Sequence, residues 1–335
     1  MRPILLKGHT RPITQIKYNR EGDLLFTVAK DMVVNAWYAH NGERLGTFDG
    51  HKGSVWSIAV DSSSTLLATG SADNTAKIWR IRDGKCLETL EFNAAVRKVE
   101  FSTDDKYLSV MLDNHMGQKS EIFVYRVVRS GSGSSEVYRM VRPNVAEHGR
   151  ATVQAWAYYN KYIIVGHVDG TVCQYEFSPS DQQQSGSLKL LKSKKIHNDE
   201  ITDLQFSADR SYFITSSKDK TANLVDVETL DILKIYKSDT SLNTAALVAK
   251  KDYIVVGGGQ AASEVTTTGA RQGKFEARFF HMIFEHEIGR VKGHFGPINT
   301  LSVEPNGLGY SSGGEDGFVR IHYFDDDYFG YKYDY

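Results

Sequence analysis

The feature that most restricts how this chain can fold is a spacing. Counting 22 residues on from His9, His51, His197 and His294 arrives each time at an aspartate: Asp31, Asp73, Asp219 and Asp316. Three of these histidines follow a glycine, in Gly8-His9, Gly50-His51 and Gly293-His294, and Ile196-His197 is the variant. Four residues before each aspartate stands a hydroxyl: Thr27, Thr69, Thr215 or Ser312. Six residues after it stands a bulky residue: Trp37, Trp79, Val225 or His322. A degenerate fifth set runs from His148 to Asp169 at 21 residues, with Val165 in the hydroxyl slot and Tyr175 beyond, which makes Gly166-His167 a chance match inside that unit. An internal repeat has to be settled before length is converted into domains, because 335 residues would otherwise suggest about two domains of roughly 150 each.

A second marker finds the units that lack the histidine. An apolar-x-x-apolar-x-apolar pattern starts at Ile13, Val55, Val96, Val153, Ile201, Leu242 and Ile298, at intervals of 42, 41, 57, 48, 41 and 56 residues. That makes seven units, with extra residues in the third, fourth and sixth. Within each, short runs rich in Val, Ile, Phe and Tyr alternate with Asp, Gly, Asn and Ser, as strands alternate with turns. Leu66-Leu67-Ala68-Thr69, Ser71-Ala72-Asp73-Asn74 and Ala76-Lys77-Ile78-Trp79 read as two strands around a tight turn. No apolar stripe at helical spacing is sustained. A four-strand unit of about 40–45 residues marked by Gly-His and a distal Trp is the WD-repeat signature. The expected fold is all-β: one seven-bladed WD-repeat β-propeller over residues 1–325, followed by an acidic and aromatic tail at 326–335.

Ring closure is also readable. The last unit ends in Phe318-Val319-Arg320-Ile321-His322-Tyr323-Phe324 with no clear fourth strand. The opening Arg2-Pro3-Ile4-Leu5-Leu6-Lys7-Gly8-His9 resembles Gly289-Arg290-Val291-Lys292-Gly293-His294. Residues 3–7 are therefore expected to complete the seventh blade and remove an open sheet edge. The repeated His, hydroxyl, Asp and Trp (His9, Thr27, Asp31, Trp37; His51, Thr69, Asp73, Trp79; His197, Thr215, Asp219; His294, Ser312, Asp316) read as structural networks. A catalytic triad would not recur in blade after blade.

Composition narrows the function classes. Forty Lys and Arg balance 41 Asp and Glu, so bulk charge gives no drive toward nucleic acid or anionic lipid. Two distant cysteines, Cys86 and Cys173, no Asn-x-Ser/Thr sequon, no apolar run near 18 residues and no leader-like start point to a cytoplasmic protein. No catalytic constellation survives inspection. Gly269 to Phe275 imitates a phosphate loop but is one residue short and lacks its Ser or Thr. His281 and His286 have no metal-ligand frame. Lys189, Lys192, Lys194 and Lys195 fit a solvated outer strand. The chain is expected to be non-enzymatic, with no cofactor and no metal. Two polar stretches, 130–135 and 178–186, are expected to be mobile loops on one ring face. The insert from Gly257 to Lys274 stands where a turn of four or five residues belongs, and reads as a contact or a cap over the channel.

Several strings go beyond WD grammar: Met1 to His9, Ile13 to Phe26, Asn41 to Gly46, Gly257-Gly258-Gly259-Gln260, Val265 to Thr268, Gly273 to Phe279, and Gly293-His294-Phe295-Gly296-Pro297-Ile298-Asn299. In these the chain resembles the subunit i family of eukaryotic translation initiation factor 3, most weakly in 117–149 and 178–195. The resemblance implies a non-catalytic interaction subunit of the complex that loads initiator tRNA and mRNA on the small ribosomal subunit. It also implies docking on the C-terminal helical segment of scaffold subunit b, and contact with subunit g, with no membrane and little direct nucleic-acid binding. A basic helix would seek carboxylates on the edge of blades five and six, and the candidates are Asp209 and Asp226, which read equally well as solvated turn acids. A WD-repeat adaptor in signalling or ubiquitin ligation, binding peptides at the upper channel mouth, would share the fold.

Overall fold

Strand-forming Val, Ile, Phe and Tyr runs, separated by Asp, Gly and Ser turns, fold among the described residues as twenty-eight strands in seven antiparallel four-stranded sheets. The structure is a computed structural model. It describes the chain apart from residues 1–2, 130–134, 143–144, 181–184, 249, 260–274, 326, 328–329 and 331–335. Blade one runs outward from the channel through Ile13–Tyr18, Leu24–Ala29, Val34–Tyr38 and Arg44–Phe48, and the other blades repeat that order. The core lies between blades: Phe26, Val28 and Phe48 of blade one, for example, pack on Ile58, Leu67 and Trp79 of blade two. Much of the 257–274 insert and of the tail lies outside the described residues.

The ring closes with the chain's own start. Ile4–Leu6 pairs antiparallel with Val319–Tyr323, in the register Ile4↔Ile321, Leu5↔Arg320 and Leu6↔Val319. Leu6 is buried among Ile13, Trp37 and Ile321. The seventh blade is thus built from both ends of the described chain, as the sequence suggests.

Each innermost strand carries a β-bulge in the same place, just after its first residue. A bulge adds one unpaired residue and re-aims its side chain. Here the re-aimed residue reaches sideways to the first carbonyl of the next blade. Thr14 donates to Val55 O (2.5 Å), Thr152 to Ile201 O (2.6 Å), Thr202 to Leu242 O (2.9 Å), Asn243 to Ile298 O (3.0 Å) and Asn299 to Ile13 O (3.0 Å). Blades two and three carry Trp56 and Arg97 at this position, and the Arg97 guanidinium lies over the Trp56 ring at 5.4 Å.

The bulge also corrects the repeat in blade four. Ala151 pairs with His167 as Ile13 pairs with Ala29, so the unit starts at Ala151, two residues before the Val153 that the apolar pattern selects. The pattern slips because the slot filled by Ile16 in blade one is filled here by Gln154, which is fully buried and donates to Ser109 Oγ at 3.1 Å. Polarity in a core position hides the period. No hydrogen bond joins His148 to Asp169, whose carboxylate instead holds Thr171 N (2.9 Å) and Oγ1 (3.0 Å).

Of the two polar stretches, residues 130–134 and 181–184 lie outside the described residues, and the residues flanking them are strands. Thr171–Ser180 and Ser185–Lys195 form a hairpin paired as far as Ser180↔Ser185, and Arg129 pairs with Ser135 in the blade-three hairpin. Turn-type composition misleads here because both arms stay in register. Gly186 also sits flat against blade three, where a Cβ would meet Val141 at 3.0 Å.

On the upper face, which carries the histidine loops, His9 Nε2 lies 2.8 Å from Thr27 Oγ1, and Trp37 Nε1 donates to the same oxygen at 2.9 Å. In blade two His51 meets Asp73 (2.9 Å) and Thr69 (2.7 Å), and Trp79 donates to Thr69 (2.8 Å). His197 meets Asp219 (3.0 Å) and Thr215 (2.9 Å). His294 meets Asp316 (3.1 Å) and Ser312 (2.8 Å); His322 stands in the indole position, and buried Arg320, in the place of Asn35, adds an ion pair to Asp316 at 3.2 Å. For His9, His51 and His197 the distances fit a neutral ring whose Nδ1–H donates to the carboxylate and whose Nε2 accepts from the hydroxyl, whereas at His294 the Arg320 guanidinium approaches Nδ1 at 2.7 Å.

Burial lowers the pKa of His9, His51 and His197 against the pull of their aspartates, and that of His322 to about 4. For Asp73 and Asp316 burial works upward, but hydrogen bonds from Thr75, Lys52 N and His51, and from His294, hold them at about 2. A lowered histidine pKa means that the unfolded chain binds protons the folded chain refuses. Its stability is complete above about pH 6.5 and is lost as pH falls toward the folded value. The aspartates add a second loss below about pH 4. Melting curves should therefore show Tm falling steadily from pH 7 to pH 5, before the Asp73 and Asp316 carboxylates titrate. Thr69→Val strands both His51 Nε2 and Trp79 Nε1, and should cost about 1–3 kcal/mol. Deleting residues 1–8 opens the ring and should lower Tm by about 10 °C or more in the same assay.

Candidate functional site

The lower face carries the turns that join first to second and third to fourth strands. Asp209 lies in the first kind of turn of blade five, between Ile201–Phe206 and Tyr212–Ser217, and Asp226 ends the third strand, Thr221–Asp226. Pairing of Tyr212 with Asp226, and a hydrogen bond from Val227 N to Ser211 O (3.1 Å), bring the two turns side by side. Both carboxylates therefore belong to one edge of one blade.

Their local roles differ. Asp209 closes its own turn, accepting from Ser207 Oγ (2.6 Å), Ser211 N (3.1 Å) and Ser211 Oγ (2.8 Å), and these bonds lower its pKa. Asp226 Oδ1 accepts from Glu228 N (2.9 Å) and Thr229 N (2.8 Å), while Oδ2 accepts no hydrogen bond among the described residues. Oδ1 holds the turn and Oδ2 takes no part in it.

Blade four braces this turn. Lys192 Nζ donates to Glu228 O (2.6 Å), Lys194 pairs with Asp231 (2.5 Å) and buried Gln174 donates to Val227 O (2.8 Å). Two of the four lysines in the basic run are thus committed to blade five. Blade six joins from the other side, through Lys234 to Glu285 (3.0 Å) and Tyr236 OH to Met282 O (2.6 Å).

An apolar patch missed in the sequence completes the edge. Leu233 and Ile235, on the outer strand Ile232–Lys237, are 49% and 40% exposed, and Ile283 and Phe284, in the next blade's turn, are 50% and 49% exposed. His281 holds that turn, accepting from Ile283 N (3.2 Å) at Nδ1 and lying 4.7 Å from the Phe284 ring. The signal was present in Ile232-Leu233-Lys234-Ile235-Tyr236-Lys237, where aliphatic residues take the outward positions that usually carry charge. Carboxylates on the same pair of blades as exposed apolar side chains suit an amphipathic, basic partner. Among the described residues no His, Cys, Asp and Glu cluster could hold a metal.

Comparison with known proteins agrees with this architecture. The family model described as EIF3I matches residues 1–334. The chain is 52% identical to "Eukaryotic translation initiation factor 3 subunit I" of Botryotinia fuckeliana, across 100% of this chain and 98% of that protein. It is 54% identical to the protein of that name from Pyricularia oryzae (100% and 96% covered) and 50% identical to the one from Schizosaccharomyces pombe (99% and 99%). Matching end to end, with seven blades and a self-closed ring, this chain belongs to the EIF3I family, the subunit I proteins of eukaryotic translation initiation factor 3.

Proposed function

We propose that this protein is a non-catalytic interaction subunit of translation initiation factor 3 in the cytoplasm, docking on scaffold subunit b through the lower edge of blades five and six. Contact with subunit g is part of the same reading. The complex so assembled acts on the small ribosomal subunit. The observation that carries the docking surface is the Asp226 Oδ2 left out of its turn, on the same pair of blades as exposed Leu233, Ile235, Ile283 and Phe284. A basic amphipathic helix, such as the C-terminal segment of subunit b, meets both halves of that surface. Apolar side chains supply affinity, and the carboxylates of Asp209 and Asp226 set orientation and on-rate.

The turn geometry also chooses the test. Asp226→Lys would remove both the charge and the acceptor that holds residues 227–231. Asp226→Asn keeps an acceptor at Oδ1 and removes only the charge. Titration calorimetry of the full chain against subunit b should show Asp226→Asn binding about tenfold more weakly, a change of about 1.4 kcal/mol, with Tm within a degree or two of wild type. Unchanged affinity would take Asp226 out of the interface.

A further inference from the structure

Blade four departs from the other blades in the turn after its inner strand. In blades one, two, three and seven the turn contains one left-handed residue of a type suited to it or tolerant of it, Gly22, Ser64, Asp105 or Gly307, and in blade five it contains Arg210. In blade four two successive residues are left-handed, Tyr159 (φ 45°) and Asn160 (φ 63°). A bulky side chain in this region is an outlier that persists only where its surroundings enforce it. The enforcement is visible: Asn160 Oδ1 accepts from both Thr103 N (2.7 Å) and Thr103 Oγ1 (2.6 Å), clamping the turn to blade three.

The clamp holds up an aromatic surface that the fold does not use. Tyr159 is 81% exposed and Tyr158 45%, and their rings meet edge to face at 4.7 Å. Both line the lower mouth of the central channel, a cavity of about 1110 Å³, together with Asp209 and Arg210. Arg210 donates to Trp156 O, so the blade-four turn and the candidate docking edge are hydrogen-bonded neighbours. Aromatic side chains lose little conformational entropy on contact and are enriched at binding hot spots.

We propose that Tyr158 and Tyr159 form a second contact for the polypeptide docked on blade five, receiving an extended segment that lays a proline or aliphatic side chain on the tyrosine rings. This rests on the blade-five reading for the identity of the partner. Charge favours a polypeptide over a single-stranded RNA that would stack on the same rings. The described channel lining carries as many carboxylates as cationic side chains, so it offers no net positive field to draw a phosphodiester. Aromatic cradles for extended, proline-bearing chains need no positive field.

Backbone strain supplies the decisive readout. Tyr159→Gly and Tyr159→Asn both relieve the left-handed conformation, so each variant should melt at or above the wild-type Tm. If the tyrosine is kept for contact, both should bind full-length subunit b about tenfold more weakly despite equal or greater stability. A tyrosine kept for packing would give the reverse, a lower Tm with unchanged affinity, and that result would overturn the proposal. Asp226→Asn, measured in parallel, separates the two readings. Weakening by Asp226→Asn alone leaves the docking edge standing and removes the tyrosines. Weakening by the Tyr159 variants alone keeps the tyrosine contact and moves the docking edge elsewhere. Binding of a fluorescent oligouridine that Tyr159→Asn abolishes, with subunit b binding unchanged, would also overturn it, in favour of RNA.

Discussion

Everything in this molecule depends on seven sheets agreeing to form a ring, and the device that secures the agreement is the bulge in each inner strand. A regular strand would aim its second residue along the sheet normal, into packing with a single neighbour. The bulge turns that residue sideways, where Thr14, Thr152, Thr202, Asn243 and Asn299 each reach the first carbonyl of the next blade. The belt ends where it began, with Asn299 donating to Ile13 O. Hydrophobic packing between blades is tolerant of small rotations, but hydrogen bonds of 2.5–3.0 Å are not. The bulges thus fix the angle between blades that lets the seventh meet the first.

Much of this was legible in the sequence, because the repeat states its own period. His-to-Asp spacing, the hydroxyl between them and the distal tryptophan are side-chain requirements of a specific network, so they survive as letters. The closing strand was legible for the same reason, since it resembles the strand that precedes the next histidine. Illegible features were those carried by backbone geometry. The bulge has no side-chain signature of its own: Thr, Trp, Arg and Asn all occupy the re-aimed position. In blade four a buried Gln154 and a small Ala151 filled slots that the apolar template reserves for Ile or Val, and the register slipped by two. The described ends of the hairpins of blades three and four were hidden by Ser, Pro and Gly, residues that favour turns in isolation but pair well enough when both arms are already aligned.

At the candidate site the two carboxylates were readable as turn acids, and the sequence left open whether they served more than the turn. Geometry adds that they share one edge, and that Asp226 keeps one oxygen outside its turn. The apolar half of the surface escaped because exposure cannot be read from hydropathy on an outer strand. Upper and lower faces therefore divide their labour. Polar side chains above are turned inward in His–hydroxyl–Asp networks that hold blades together. Below, the aliphatic edge and the two tyrosines are exposed, and Asp226 keeps Oδ2 out of its turn.

The origin of the closing strand has a consequence in time. Ile4 cannot meet Ile321 until more than three hundred further residues have been made, which at about 5–20 residues per second is on the order of 15–60 s on a translating ribosome. Through that interval the first strand is a short, apolar, unpaired ribbon, and blade one has a neighbour on one side only. Six blades can stack as they emerge, but cooperativity arrives with the last. Nascent chains of this protein are therefore incomplete rings that depend on their final segment, and an arrest or truncation late in synthesis leaves both an open edge and an unmatched beginning.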